Sequence, residues 1–175
     1  MLEQAFDVTP NPTSPATRED LKAQFELLEA IRDALSASHV TLMEVRDVRD
    51  QVTDLAARAK RLGKGDALEK RAATLSEKLT AIEVQLTNPE IRSDEDGLNY
   101  EPKLDHDFTY LAAIVANADR KPTAGSVQVF SELKGALDAI CGRFDALLAG
   151  DVAEFSRAAE EAKLPRVAPA PKIEP

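Results

Sequence analysis

Apolar positions recur through residues 17–62 with almost no interruption: Leu21, Phe25, Leu28, Ile31, Leu35, Ser38, Leu42, Val45, Val48, Val52, Leu55, Ala59 and Leu62. Only Ser38 is polar. These twelve steps cover 41 residues, about 3.4 per step, close to the 3.5 repeat of supercoiled helices. The pattern predicts one helix over 17–62, roughly 70 Å long at 1.5 Å per residue. Thr17 with Asp20 three residues on forms a capping box at its start, and Gly63 and Gly65 follow its basic last turn. A second line, Leu68, Ala72, Leu75, Leu79, Ile82 and Leu86, has regular 4-3 spacing and predicts a helix over 67–86, opened by an Asp66–Glu69 capping pair. The short turn between the two allows only an antiparallel hairpin.

Residues 87–102 carry no periodicity and form the longest break in the pattern. Loops of this length are often functional or held by their own apolar groups, here Ile91, Leu98 and Tyr100. A third helix is predicted over 103–119, with Leu104, Phe108, Leu111, Val115 and Ala118 inward. A fourth, over 126–163, carries Val127, Phe130, Leu133, Leu137, Ile140, Phe144, Leu148, Val152, Phe155 and Ala159. Gly135 and Gly142 read as close helix contacts, and Gly150-Asp151 as a kink where Asp151 and Glu154 cap a new start. The flanks are proline-rich: an extended arm over 1–16 and a tail over 165–175. Together these predict an all-α, elongated, antiparallel, coiled-coil-like bundle of four helices, the first very long. Its cross-section holds three or four strands, depending on how the 87–102 loop turns.

Composition narrows the function classes. The chain has 175 residues, no Trp and a net charge of -9, which argues against a nucleic-acid surface. Residues 17–62 are nearly neutral, with 8 basic and 9 acidic groups, whereas 87–120 hold 3 basic and 8 acidic, so the acidity sits around the loop. No apolar run is long enough to insert in a membrane, and the N-terminal residues lack a signal-peptide pattern. A single Cys141, beside the apolar line of the last helix, reads as a small buried hydrophobe.

Candidate chemistry is sparse. Asp94, Asp96 and Gly97 look superficially like a calcium loop, but aligning Gly97 on the sixth position puts Arg92 first and Lys103 twelfth, where carboxylates are required. Asp94 and Asp96 therefore stand as weak metal candidates, and Asp96 reads as the cap of a turn. Asp105, His106 and Asp107 are consecutive on a helix and cannot converge on one ion, and His39 is distant. No catalytic constellation and no cofactor motif is present. Lys22–Glu26, Arg46–Asp50 and Asp54–Arg58 read as i,i+4 surface pairs.

One resemblance adds to this. The arm Phe6-Asp7-Val8-Thr9-Pro10-Asn11-Pro12, the helix stretch from Ile31 to Ser36 with His39, and the loop Asp96-Gly97-Leu98-Asn99-Tyr100 before Pro102 carry it. Pro122-Thr123, Leu133, Phe155 and Leu164-Pro165-Arg166-Val167 add to it. Together they resemble the C-terminal helical region of bacterial Asp-box, sortilin-like β-propeller proteins, often labelled glycosyl hydrolases. Asp96, Leu98, Asn99, Tyr100 and Pro102 form the family-motif loop, although Glu101 intervenes where the family places proline directly. The propeller itself has no counterpart here. The resemblance implies a non-catalytic helical structural or interaction module, accessory to a propeller, with a β-propeller domain or a second copy as its partner. If the chain belongs to a longer propeller protein, it implies an extracytoplasmic location. Two other readings stand beside it: an accessory part of a glycosyl-hydrolase-type enzyme using Asp94, Glu95, Asp96 and His106, and a free-standing coiled-coil adaptor.

Overall fold

A computed structural model describes residues 3–6, 8, 9, 11–63, 66–93, 96 and 98–163. The protein is all-helical, with α1 (Arg18–Arg61), α2 (Asp66–Leu86), α3 (Leu104–Ala116), α4 (Ala124–Leu147) and α5 (Ala153–Glu161). A π turn, Leu148–Val152, joins α4 to α5 without a break, so the last two helices form one rod. Among the described residues there is no strand. The C-terminal tail predicted over 165–175 and the Gly65 turn position lie outside the described residues.

Cross-helix pairs fix the arrangement. Lys60 meets Glu69, Arg49 meets Thr80 and Arg46 meets Glu83, a single antiparallel register between α1 and α2. Further toward the start of α1, Gln24 reaches the end of α3, so α3 runs in the same direction as α2 and succeeds it along α1. α4 runs parallel to α1: Thr41 is beside Cys141, while Arg143 meets Gln85 and Asp151 meets the earlier Lys78. The cross-section therefore has three strands: α1, then α2 followed by α3, then α4 continued by α5. The segment of residues 87–103 links α2 to α3 within the second strand.

Local rules explain most boundaries. The Thr17 hydroxyl accepts from the Asp20 amide, and the Asp20 carboxylate returns a bond to the Thr17 amide, completing the capping box. Gly63 takes a φ of +68° after α1, a conformation that costs glycine little. Asp66 is the first residue of α2 rather than a cap before it. α3 stops at Ala116, three residues short of the predicted 119. Its end is held by Gln24, whose Nε2 donates to the Val115 and Ala118 carbonyls at 2.6 and 2.8 Å.

The core confirms the periodicity and corrects its phase. All six predicted positions of α2 are buried. On α1 the buried line is Ile31, Ala34, Ser38, Thr41, Val45, Val48, Val52, Leu55 and Ala59, an unbroken 3-4 alternation. Ala34 and Thr41 thus lie at the centre where Leu35 and Leu42 were expected, and those leucines flank it half-buried. Phe25 and Leu62 are 60% and 59% exposed. A three-stranded core is narrow beside the small Ala34-Ser38-Thr41 stretch, so the bulky leucines are displaced to its edge. In the last rod the buried residues step from Leu147 to Val152, and the π turn absorbs the additional residue so that Phe155 and Ala159 keep the inward face. No new cap forms there: Asp151 pairs with Lys78 instead. Gly135 and Gly142 are exposed, with no atom within 4 Å of a β-carbon placed on them, so they are not helix contact points. Of the expected surface pairs, Lys22–Glu26 forms at 3.6 Å, whereas Arg46 turns from Asp50 to Glu83.

That last contact is the main polar feature of the interface. Glu83 is 6% exposed and receives Arg46 Nε at 2.6 Å and Arg49 Nη1 from the facing helix. Burial pushes its carboxyl up, but the hydrogen bonds and charges of the two guanidiniums outweigh burial and hold it below the ordinary glutamate value. Ser38 has the opposite status: it is 1% exposed, and its hydroxyl has no hydrogen-bond partner.

Two stability outcomes follow. Glu83→Gln should lower unfolding free energy by about 2–3 kcal/mol at pH 7, since it leaves two guanidiniums without their anion. A depressed carboxylate contributes stability above its unfolded value and loses it as pH falls. In urea titrations the gap between wild type and variant should therefore hold down to about pH 5 and narrow below about pH 4.5. Ser38→Ala should be neutral or stabilising by up to about 1 kcal/mol, while Gln24→Ala should cost about 1–2 kcal/mol by releasing two carbonyls. Equal costs for both in the same titration would contradict this assignment.

Candidate functional site

The 87–103 loop is the segment where the sequence-predicted residues gather, and its order comes from two polar side chains. Asn88 closes its base: Nδ2 donates to the Glu101 carbonyl at 3.1 Å and Oδ1 accepts from the Glu90 amide. Asp96 closes its tip, with Oδ2 accepting from the Arg92 and Ser93 amides at 2.8 and 3.0 Å. The Asp96 carbonyl then accepts from the Asn99 and Tyr100 amides. Asp96 therefore acts as a turn cap, and those two backbone donors hold its carboxyl below the usual aspartate range.

The apolar residues do not perform the task predicted for them. Ile91 is half-buried, but Leu98 is 89% exposed and Tyr100 39% exposed. They are presented rather than packed. Asn99 and Pro102 are also exposed, so the segment from Asp96 to Pro102 is a surface feature along its described length. Asp94, Glu95 and Gly97 lie outside the described residues.

α3 begins directly after this loop. Lys103 is its N-cap residue and supplies no side-chain cap, while its ammonium pairs with Glu101 at 2.5 Å. Asp105 and Asp107 stand in the first turn, where the helix end favours negative charge. The Asp105 carboxylate accepts from the His106 amide at 2.7 Å. Partial burial, with Asp105 and Glu101 nearby, raises the Asp107 carboxyl against the opposing charges of His106 and Lys103. The three side chains do not converge. Among the described residues no group of three His, Cys, Asp or Glu is placed to hold a metal ion. Asp96, the weak metal candidate within the described residues, has its carboxylate committed to the backbone.

Cys141 is half-buried rather than fully buried, with Sγ 3.4 Å from the Thr41 hydroxyl, a small polar link between α1 and α4. His39 is exposed on α1. Sequence reasoning did not find the Arg46–Glu83–Arg49 cluster or the Gln24 cap. The available signal was a glutamate one position after the apolar Ile82, on the side of α2 that turns toward α1.

Among the described residues no helix is long and apolar enough to cross a membrane. No family model, curated protein or solved structure matches the chain.

Since Asp96 holds the loop chiefly through the Arg92 and Ser93 amides, Asp96→Ala should speed hydrogen exchange at Arg92 and Ser93 by at least about tenfold. The far-UV helical signal and melting temperature should be unchanged. Loss of helix in this variant would show that loop and bundle are coupled.

Proposed function

We propose that this chain is a non-catalytic helical structural and interaction module, accessory to a bacterial sortilin-like β-propeller protein of the kind often labelled glycosyl hydrolases. The observation that supports the reading is where apolar side chains remain exposed on irregular backbone. Phe6 and Val8 on the extended arm are 84% and 85% exposed, and Leu98 in the loop is 89% exposed. These are the same two segments that carry the resemblance. Apolar side chains on extended backbone suit contact with a second folded surface, since single exposed residues of this size rarely stabilise a chain by themselves. The three helical strands cover one another's apolar faces, so the bundle needs no partner for its own core.

Calorimetry or a pull-down with a sortilin-like β-propeller domain tests the reading. Binding should be measurable and should weaken at least tenfold when Phe6, Val8 and Leu98 are changed together to Ser. A chain that binds no such propeller removes the proposal. Loss of hydrolytic activity in the intact protein on replacing Asp94, Glu95, Asp96 and His106 would favour the enzyme-accessory reading instead.

A further inference from the structure

The surface charge of this acidic protein is strongly uneven along the bundle. At the α1–α2 hairpin end, residues 57–71 hold six Lys or Arg against two Asp or Glu. Their side chains Arg58, Lys60, Arg61, Lys70 and Arg71 are all exposed. Among the described residues only Lys60 of this group is held in an ion pair, with Glu69. The opposite charge gathers in the loop and the first turn of α3, where the described residues hold five acidic groups, Glu90, Asp96, Glu101, Asp105 and Asp107, against Arg92 and Lys103, the latter paired with Glu101.

These two regions cannot neutralise each other within one molecule. By the α1–α2 register, α2 ends opposite Met43 of α1, which is 19 residues from Leu62 at the hairpin end. That separation is about 29 Å of helix, several times the ~8 Å screening length at physiological salt.

The surface between them mixes cross-helix ion pairs, Arg46 and Arg49 to Glu83 and Lys60 to Glu69, with small side chains. A groove of about 380 Å³ opens between α1 and α2, lined by Thr53, Ala56 and Ala57 on one side and by Ala72, Ala73 and Ser76 on the other, with the paired Lys60 and Glu69 at its hairpin end. Its floor is small side chains that let another backbone approach closely. Toward the loop, Met43 and Val84 are 53% and 41% exposed, large apolar groups left uncovered by the three strands.

We infer that this α1–α2 face binds a second copy of the chain, antiparallel, with the basic hairpin end of each copy on the acidic loop of the other and the alanine-lined grooves together near the twofold axis. Charge complementarity argues for this occupant, because the same chain carries an excess of each sign at opposite ends of the α1–α2 pair. Antiparallel pairing satisfies both ends at once and closes the assembly at two copies. A strip about 29 Å long and two helices, about 20 Å, wide covers on the order of 600 Å² per copy, or about 1,200 Å² in total, the lower end of the range for specific interfaces. Beyond the screening length the overall negative charge of the two copies has little influence, so the local attraction decides.

This adds a second copy of the chain to the interaction-module reading above, and the two fail separately: a chain that stays monomeric yet binds a propeller domain keeps the module and removes the pairing. Sedimentation velocity on the full chain at about 5–100 µM supplies the test. In 50 mM NaCl the chain should run as a dimer, with affinity falling at least tenfold by 300 mM. Arg58→Glu with Arg61→Glu should give monomer, and adding Glu90→Lys with Glu101→Lys should restore the dimer. Ala57→Lys with Ala73→Lys, both at exposed positions, should also give monomer with the helical signal intact. A monomer at every concentration in low salt overturns the proposal. So does a dimer that survives the charge-reversed or lysine variants, an open ladder of larger species, or a charge swap that fails to restore pairing.

Discussion

The apolar seam of α1 must be covered from solvent along its whole length, and no single returning helix in this chain is long enough to do so on the hairpin side. α2 covers the half of α1 nearest the turn, after which the chain has to leave the bundle and re-enter it as α3. The acidic loop is therefore where it is because of helix length: it occupies the gap between two short helices serving one long one. α4 and α5, joined by a π turn, cover the third side without such an interruption. The three-stranded section, the linking loop and the uncovered α1–α2 face all follow from that mismatch.

Polar groups at the interfaces then fix the register that hydrophobic spacing leaves open. A heptad seam tolerates sliding by seven residues, because every contact looks alike after one repeat. Glu83 between Arg46 and Arg49 has no equivalent one heptad away, and neither does Gln24 on the last carbonyls of α3. Burying such groups contributes little net stability, but a misplaced register would leave them unpaired in the interior, which costs far more. The pairing of α1 with α2 and of α1 with α3 is thus specified by one polar lock each.

Helix existence and the all-α class were legible because periodicity is a property of each segment alone. α2 is the clearest case, since all six residues of its 4-3 line are buried. What sequence spacing could not supply was the comparison between neighbouring stripes of one helix. Leu35 looks more like a core residue than Ala34, yet the narrow packing beside Ser38 and Thr41 favours the smaller side chain. Arg46 paired on paper with Asp50, four residues on, because its true partner, Glu83, belongs to another helix. In the loop, Asp96 was readable as a turn cap from its neighbours, whereas the exposure of Leu98 depended on how the segment meets the bundle. The described residues of the arm and the loop present exposed side chains, Phe6, Val8 and Leu98 among them, without converging polar groups.

The π turn at Leu148–Val152 bears on how this chain tolerates changes in length. In most of the bundle, removing one residue from a helix would rotate everything after it by about 100° and turn the inward face to solvent. Between Leu147 and Val152 the rod already contains one residue more than an α-helix needs to keep those two side chains on the same face. Loss of a single residue there would convert the π turn to ordinary α-helix and leave Phe155 and Ala159 facing the core. The rod is accordingly tolerant of losing one residue at that turn, whereas the helical stretches before and after it are not.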